Sequence, residues 1–234
     1  CTLCPRLFDF RAKNNREWPD WYNAPVKGFG SLSSRLLILG LAPGLRGANK
    51  TGRPFTGDFA GDLLYKTLSE FNLSSGLFNP SSEDDLKLLD CRITNAVKCV
   101  PPQNKPVASE IKNCQKFLRS EIESMKKLRV ILALGTVAHN SALDIFGCRK
   151  SNHKFAHNSL HHLNERITLV DSYHCSRYNT NTGRLTEKMF REVFISLMRI
   201  MNFQNFSKFF FSPKFTFDSR ARGASYQSAA ATFD

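Results

Sequence analysis

Two pairs of cysteines, a glycine-rich loop carrying one aromatic residue, and two polar strand ends are the parts of this sequence whose residue types and spacing suit chemistry. Cys1 and Cys4 form a CxxC, and Cys99 and Cys114 flank a Pro-rich turn, VPPQNKP. Four thiolates from two distant pairs can build a tetrahedral metal site or hold an iron–sulfur cluster. Spacing alone does not separate zinc from a cluster, and four buried unliganded thiols are the plainer alternative. Seven cysteines is an odd number, and no secretory context is evident. Thiols kept reduced as ligands therefore fit better than a disulfide framework. Cys91, Cys148 and Cys175 show no such pairing and read as core or loop thiols.

The loop GLAPGLRGANKTGRPFTGDFAGDLLY runs from Gly40 to Tyr65. Its glycines let backbone approach a ligand closely and leave N–H groups free to donate. It lacks the P-loop pattern, and no GxGxxG opens a helix, so it is not a known nucleotide fingerprint. Phe55, between Pro54 and Thr56, sits on a turn, where a flat ring beside a glycine-lined pocket suits stacking on a base. A core plug is the competing role. Asp58 and Asp62 follow where a helix should begin, and the helix dipole explains both simply.

Thr94-Asn95 ends a strand just before Cys99. The Asn amide offers an acceptor and two donors in one plane, which can match a pyrimidine edge or merely satisfy backbone at the strand end. SYHCSRYNTNTGRLT, from Ser172 to Thr186, places His174 where a strand meets the surface, followed by donors that suit phosphate contacts. His153, His157, His161 and His162 lack a carboxylate or Cys in pattern and read as a loop or solvated helix face, not a metal site.

Four apolar runs must position these groups: Leu36 to Leu41, Cys91 to Val97, Arg129 to Leu134 and Ile167 to Asp171. Each is rich in Leu and β-branched residues and has the length of a buried strand. Helical spacing separates them over Gly61–Phe71, Ala108–Leu128 (with Ile111, Phe117, Leu118, Ile122 and Met125 on one side), Thr136–Phe146 and about Thr186–Met201. Alternation of this kind predicts a three-layer α/β/α sandwich with a short, mostly parallel four-stranded central sheet. Ligands in such sheets sit beyond the carboxyl ends of the strands, here the loops after Leu41, Val97 and Asp171.

The chain has 234 residues, 41% hydrophobic and 23% charged, which supports one folded domain and excludes wholesale disorder. No apolar run approaches the ~20 residues that span a bilayer. Thirty-three Lys and Arg against 20 Asp and Glu give a net charge of +13, which favours polyanionic partners. The chain starts at Cys1, and a missing N-terminal segment is expected. Residues 1–201 are expected to form the domain, and the Phe-rich stretch 202–234 a low-order tail.

Taken together, CTLC, GLAPGLRGANKTGRPFTGD, TNAVKC with the later Cys114, and SYHCSRYNTNTGRLT resemble the iron–sulfur uracil-DNA glycosylases, most closely the family-5 (type B) branch. The resemblance covers residues 1 to 201. Leu41 stands where family 4 carries an acid, which favours family 5. Gly44 replaces the usual Ala, and Cys175 replaces the Pro of HPS, which would loosen His174 and add an oxidisable thiol beside the site.

The resemblance implies a monofunctional enzyme that flips uracil, or another deaminated base such as hypoxanthine, from DNA and hydrolyses its N-glycosidic bond, starting base excision repair. Phe55 would stack on the base and Asn95 would bond its edge. His174 would stabilise the leaving base, and Asp58, with Asp62 behind it, would assist the sugar or water. Backbone at Gly40, Leu41 and Ala42 would complete the base pocket, while Ser176 and Arg177 would contact DNA. Cys1, Cys4, Cys99 and Cys114 would hold a 4Fe–4S cluster, structural or DNA-positioning. The protein is expected to be cytoplasmic, monomeric and independent of membranes. A non-catalytic zinc- or cluster-containing nucleic-acid-binding protein is the alternative, but it leaves the glycine loop, Phe55, Asn95 and His174 without a joint role.

Overall fold

The computed structural model describes residues 1–81 and 84–201; the stretch 202–234 lies outside the described residues. Three five-residue strands form the centre: β2 (Leu36–Gly40), β6 (Val130–Leu134) and β8 (Thr168–Ser172), every residue of them buried. β5 (Cys91–Asn95) lies on the other side of β2, and these four strands run parallel. Continuous apolar runs such as LLILG and VILAL are what a parallel sheet covered on both faces requires.

The sheet has six strands, not the expected four. β1 (Phe29–Gly30) and β7 (Leu160–His162) cap its edges antiparallel, giving the order β1-β5-β2-β6-β8-β7. Both are only two or three residues long and half-exposed, too short to carry an alternation in sequence. β3 (Ser74–Ser75) and β4 (Lys87–Leu88) make a separate two-stranded ladder.

Period-two alternation sends Leu37, Leu39, Ile131, Ala133 and Leu169 into one core, under α4 (Ala108–Ser124) and α5 (Thr136–Phe146). The alternate residues face the other layer, where α7 (Glu187–Ile200) buries Phe190, Val193, Phe194 and Leu197 against β6 and β8. Phe194 meets Phe71, just after α3 (Phe59–Glu70), with ring centroids 5.5 Å apart. The three-layer sandwich is therefore present. On α4, Leu118, Ile122 and Met125 turn inward as the spacing requires, but Phe117 is exposed.

Sequence periodicity missed α1 (Pro5–Glu17), because PRLFDFRAKNNRE is polar and buries only Leu7 and Asn14. It also missed α2 (Ala48–Thr51) and α6 (Arg177–Asn181), which are single turns within the two functional loops. α1 is tied to α4 by a two-pronged Arg6–Glu110 pair, with both N···O distances 2.8 Å.

Candidate active site

β2 and β5 end in register, with Gly40 opposite Asn95. From these ends the chain must turn outward, and carbonyls of Gly40 and Leu41 accept from Ala96 and Val97, which extends the pairing into both loops. The side chain of Asn95 is thereby held at the sheet's rim, 4% exposed. Phe55 crosses over Gly40: a Cβ there would strike Asn95 Oδ1 and lie 2.7 Å from Phe55 Cζ, so only glycine admits both groups.

Phe55 itself takes φ 56°, a left-handed conformation costly for a bulky residue. Its carbonyl abuts Gly61 so closely that no side chain fits on α3 there. Phe55 is 7% exposed, yet its ring forms one wall of an open cleft.

β8 delivers the third group. His174 follows the strand by two residues, and its ring lies 5.9 Å from that of Phe55 with planes 23° apart. Its carbonyl accepts from Asn179 Nδ2 at 2.8 Å, which fastens the loop to α6. Burial pushes the imidazole's pKa down to about 4, so the ring is neutral near pH 7. Among the described residues, neither the Asn95 amide nor the His174 ring hydrogen-bonds another protein group. Both stand ready for a ligand.

Asp58 is the N-cap of α3, with Oδ1 accepting from Gly61 N at 3.1 Å. Its other oxygen faces Gly44 and Gly47, where added Cβ atoms would approach to 3.3 and 2.9 Å. Burial is the larger influence and raises its pKa, against two backbone N–H bonds from Gly61 and Ala60 that lower it. Asp58 thus caps the helix and also opens onto the cleft. Asp62, a turn further on, lies outside the cleft lining.

The cleft measures about 540 Å3 and brings together Leu41, Ala42, Phe55, Asp58, Asn95, His174, Ser176 and Arg177. Ser176 caps α6, and the Arg177 guanidinium lies 5.8 Å from the Phe59 ring at the rim. Sequence reasoning missed Asn104, which also lines the cleft. It comes from the VPPQNKP turn, where Gln103 and Asn104 both take positive φ; a Pro-bounded Gln-Asn pair was its only signal.

Cys175 departs from expectation. It is fully buried, and its thiol donates to the Ala60 carbonyl at 3.4 Å. Burial raises its pKa strongly, and its bond to Ala60 links the His174 loop to α3.

Cys1, Cys4, Cys99 and Cys114 line one small pocket with Leu7, Arg11 and Phe117. Cys99 sits in the loop beyond β5, and Cys114 lies inside α4. Arg11 binds the Cys1 carbonyl at 2.7 Å, and Asn113 binds the Leu3 carbonyl at 3.0 Å, fixing the CxxC over α4. All four are free thiols.

A model of the uracil DNA glycosylase superfamily matches residues 27–198, and the chain belongs to that superfamily. Within it the near relatives are of type 5. The type-5 uracil-DNA glycosylase of Thermus thermophilus is 44% identical over 208 residues, covering 86% of this chain and 93% of that protein. That of Pyrobaculum aerophilum is 38% identical over 197 residues, covering 82% and 85%. A type-4 enzyme of the same organism matches at 34% over only 53% of this chain. No helix among the described residues is long and apolar enough to cross a membrane.

Proposed function

We propose that this protein removes uracil, and other deaminated bases such as hypoxanthine, from DNA by hydrolysing the N-glycosidic bond, and leaves the backbone intact. The observation that carries this reading is the meeting of Phe55, Asn95 and His174, from two loops and a strand end, in one cleft at the carboxyl ends of β2, β5 and β8, with the two polar groups unpartnered. A binding module has no need of that convergence.

The extrahelical base would stack on Phe55, while the Asn95 amide donates to and accepts from its edge. As the bond from base nitrogen to C1′ breaks, its electron pair moves onto the base and negative charge grows on the carbonyl oxygen. His174, being neutral, offers one N–H to that oxygen without giving up the proton. A donor aimed where charge develops lowers the barrier more than it tightens substrate binding. The sugar becomes cationic, and Asp58, which lines the cleft, would stabilise it or orient the water that adds to C1′. The net charge of +13 and Arg177 at the rim supply attraction for phosphates.

Cys1, Cys4, Cys99 and Cys114 would hold a 4Fe–4S cluster. Two distant thiol pairs gathered on one small pocket suit a cluster, with zinc as the chemical alternative. Such a cluster would tie the CxxC ahead of α1 and the loop beyond β5 to α4, and would take no part in glycosyl cleavage. A visible absorbance near one cluster per chain, abolished in Cys99→Ala, is the expected result; colourless protein carrying zinc would exclude it.

The activity is tested with labelled duplexes bearing a single U·G or hypoxanthine pair. Strand breaks appearing only after alkali would establish a monofunctional glycosylase. No product from either duplex, with folded and metal-loaded protein, would overturn the reading.

A further inference from the structure

Near the carboxyl end of β8, among residues that do not line the cleft, a fully buried carboxylate meets two imidazoles. Asp171 Oδ1 lies 2.8 Å from His139 Nδ1, and Asp171 Oδ2 lies 3.0 Å from His161 Nε2. Three elements supply these groups: Asp171 comes from β8, His139 from α5 and His161 from the edge strand β7. The donor atoms all fall within 4.8 Å of one another.

The second nitrogen of His139 decides what this cluster needs. His139 Nε2 faces the His153 carbonyl at 2.8 Å, and a carbonyl can only accept, so Nε2 carries the hydrogen. In the neutral ring Nδ1 is then a lone pair, aimed at a carboxylate oxygen. Two lone pairs cannot face each other at hydrogen-bond distance inside a protein with nothing between them. What bridges them is either a proton, carried by the ring or by the carboxyl, or a metal ion. An imidazole that spends one nitrogen on a backbone carbonyl and turns the other inward is how metal-binding histidines are usually held. His153 is anchored likewise, Nδ1 on the Arg149 carbonyl at 3.0 Å, with its ring 5.7 Å from that of His161.

We propose that His139, His161 and Asp171 form a binding site for a divalent transition metal of the zinc type, clamping β7 and α5 to β8. Imidazole nitrogen with one carboxylate suits zinc, and water can fill the fourth position because His161 is half-buried and reaches the surface. Bonds of 2.0–2.1 Å require donor–donor edges of about 3.3 Å, so the donors must part by a few tenths of an ångström. The short edge strand, half-exposed, can yield that much. The ion would be distinct from anything held by the four cysteines, having no sulfur in its shell.

Zinc is the probe. Anaerobically purified full-length protein, dialysed against excess zinc and then buffer, is compared with His161→Ala by elemental analysis and zinc-edge X-ray absorption. The expected result is one zinc per chain bound only by nitrogen and oxygen, with the imidazole scattering pattern, falling below a tenth of an equivalent in His161→Ala. Added zinc should raise the melting temperature of the parent protein and not of the variant. Parent protein that retains no zinc, zinc in a sulfur-containing shell, or equal zinc in both proteins would overturn the proposal and leave a proton as the bridge between His139 and Asp171. The absorption spectrum and stoichiometry of the parent stand even if the variant folds poorly.

Discussion

Gly40 and Asn95 end adjacent parallel strands in register, and the missing side chain of one is the space occupied by the other's amide and by the Phe55 ring. The clash a Cβ would cause is with functional groups, not core. Gly40→Ala is therefore expected to cut single-turnover uracil excision by ~10²-fold, the scale of losing one positioned hydrogen-bond donor. Because the residue lies at a strand's end, the melting temperature should fall by only a few degrees. An active Gly40→Ala enzyme would show that Asn95 does not hold the base.

For His174→Ala the expected loss is also ~10²-fold or more in the excision step, as for a deleted oxyanion donor. Unchanged single-turnover rates would remove His174 from the mechanism.

Titration of the same ring gives an independent check. Burial places its pKa at about 4 in the folded protein, against 6.5 when exposed. Between those values the unfolded chain binds more protons than the native one, so this group makes stability decline as pH falls from about 6.5 towards 4 and has no effect above that window. NMR of the His174 ring should show no protonation between pH 8 and 6; a midpoint near 6.5 would contradict the neutral, enclosed imidazole.

Phe55→Ala should weaken binding to a duplex with a flipped abasic analogue by ~1–3 kcal/mol, the worth of base–aromatic stacking. Phe55→Tyr keeps the ring and should bind nearly as the parent does. Both variants inherit the left-handed backbone at φ 56°, so their difference isolates the ring from the strained turn.

Asp58 carries two roles that one pair of variants separates. Asn caps a helix as well as Asp does, whereas Ala forfeits ~1 kcal/mol. Asp58→Asn should therefore keep its melting temperature and lose excision activity, while Asp58→Ala loses both. An active Asp58→Asn enzyme would reduce Asp58 to a helix cap.

Cys175, sealed beneath the His174 loop, should resist alkylation of the native protein while half-buried Cys148 reacts. Mass spectrometry after brief iodoacetamide treatment reads the difference, and early modification of Cys175 would mean that the loop opens readily.

Much of this molecule was legible before folding. The four parallel strands announce themselves because both their faces are covered, so LLILG and VILAL must be apolar throughout. Thr136 to Phe146 reads as a helix because its packing face repeats every three or four residues, and the helix spans those residues. The strand ends then single out Asn95 and His174, since ligands gather where parallel strands stop.

Other features are decided only by tertiary structure. β1 and β7 are too short and too exposed to leave a pattern, and α1 is held by Arg6–Glu110 and the cysteine pocket rather than by an apolar stripe. Asn104 reaches the cleft through two positive-φ residues of a Pro-rich turn that the sequence marked only as lying between two cysteines. The histidines around position 161 showed no carboxylate partner along the chain. Asp171 supplies it from β8, beside which β7 pairs with His161 opposite Leu169. By itself the sequence determined which segments would be buried and where chemistry could gather, because local periodicity and residue type report on burial and charge. Which side chains finally meet was decided by strand register and loop closure, because those join residues far apart in the chain.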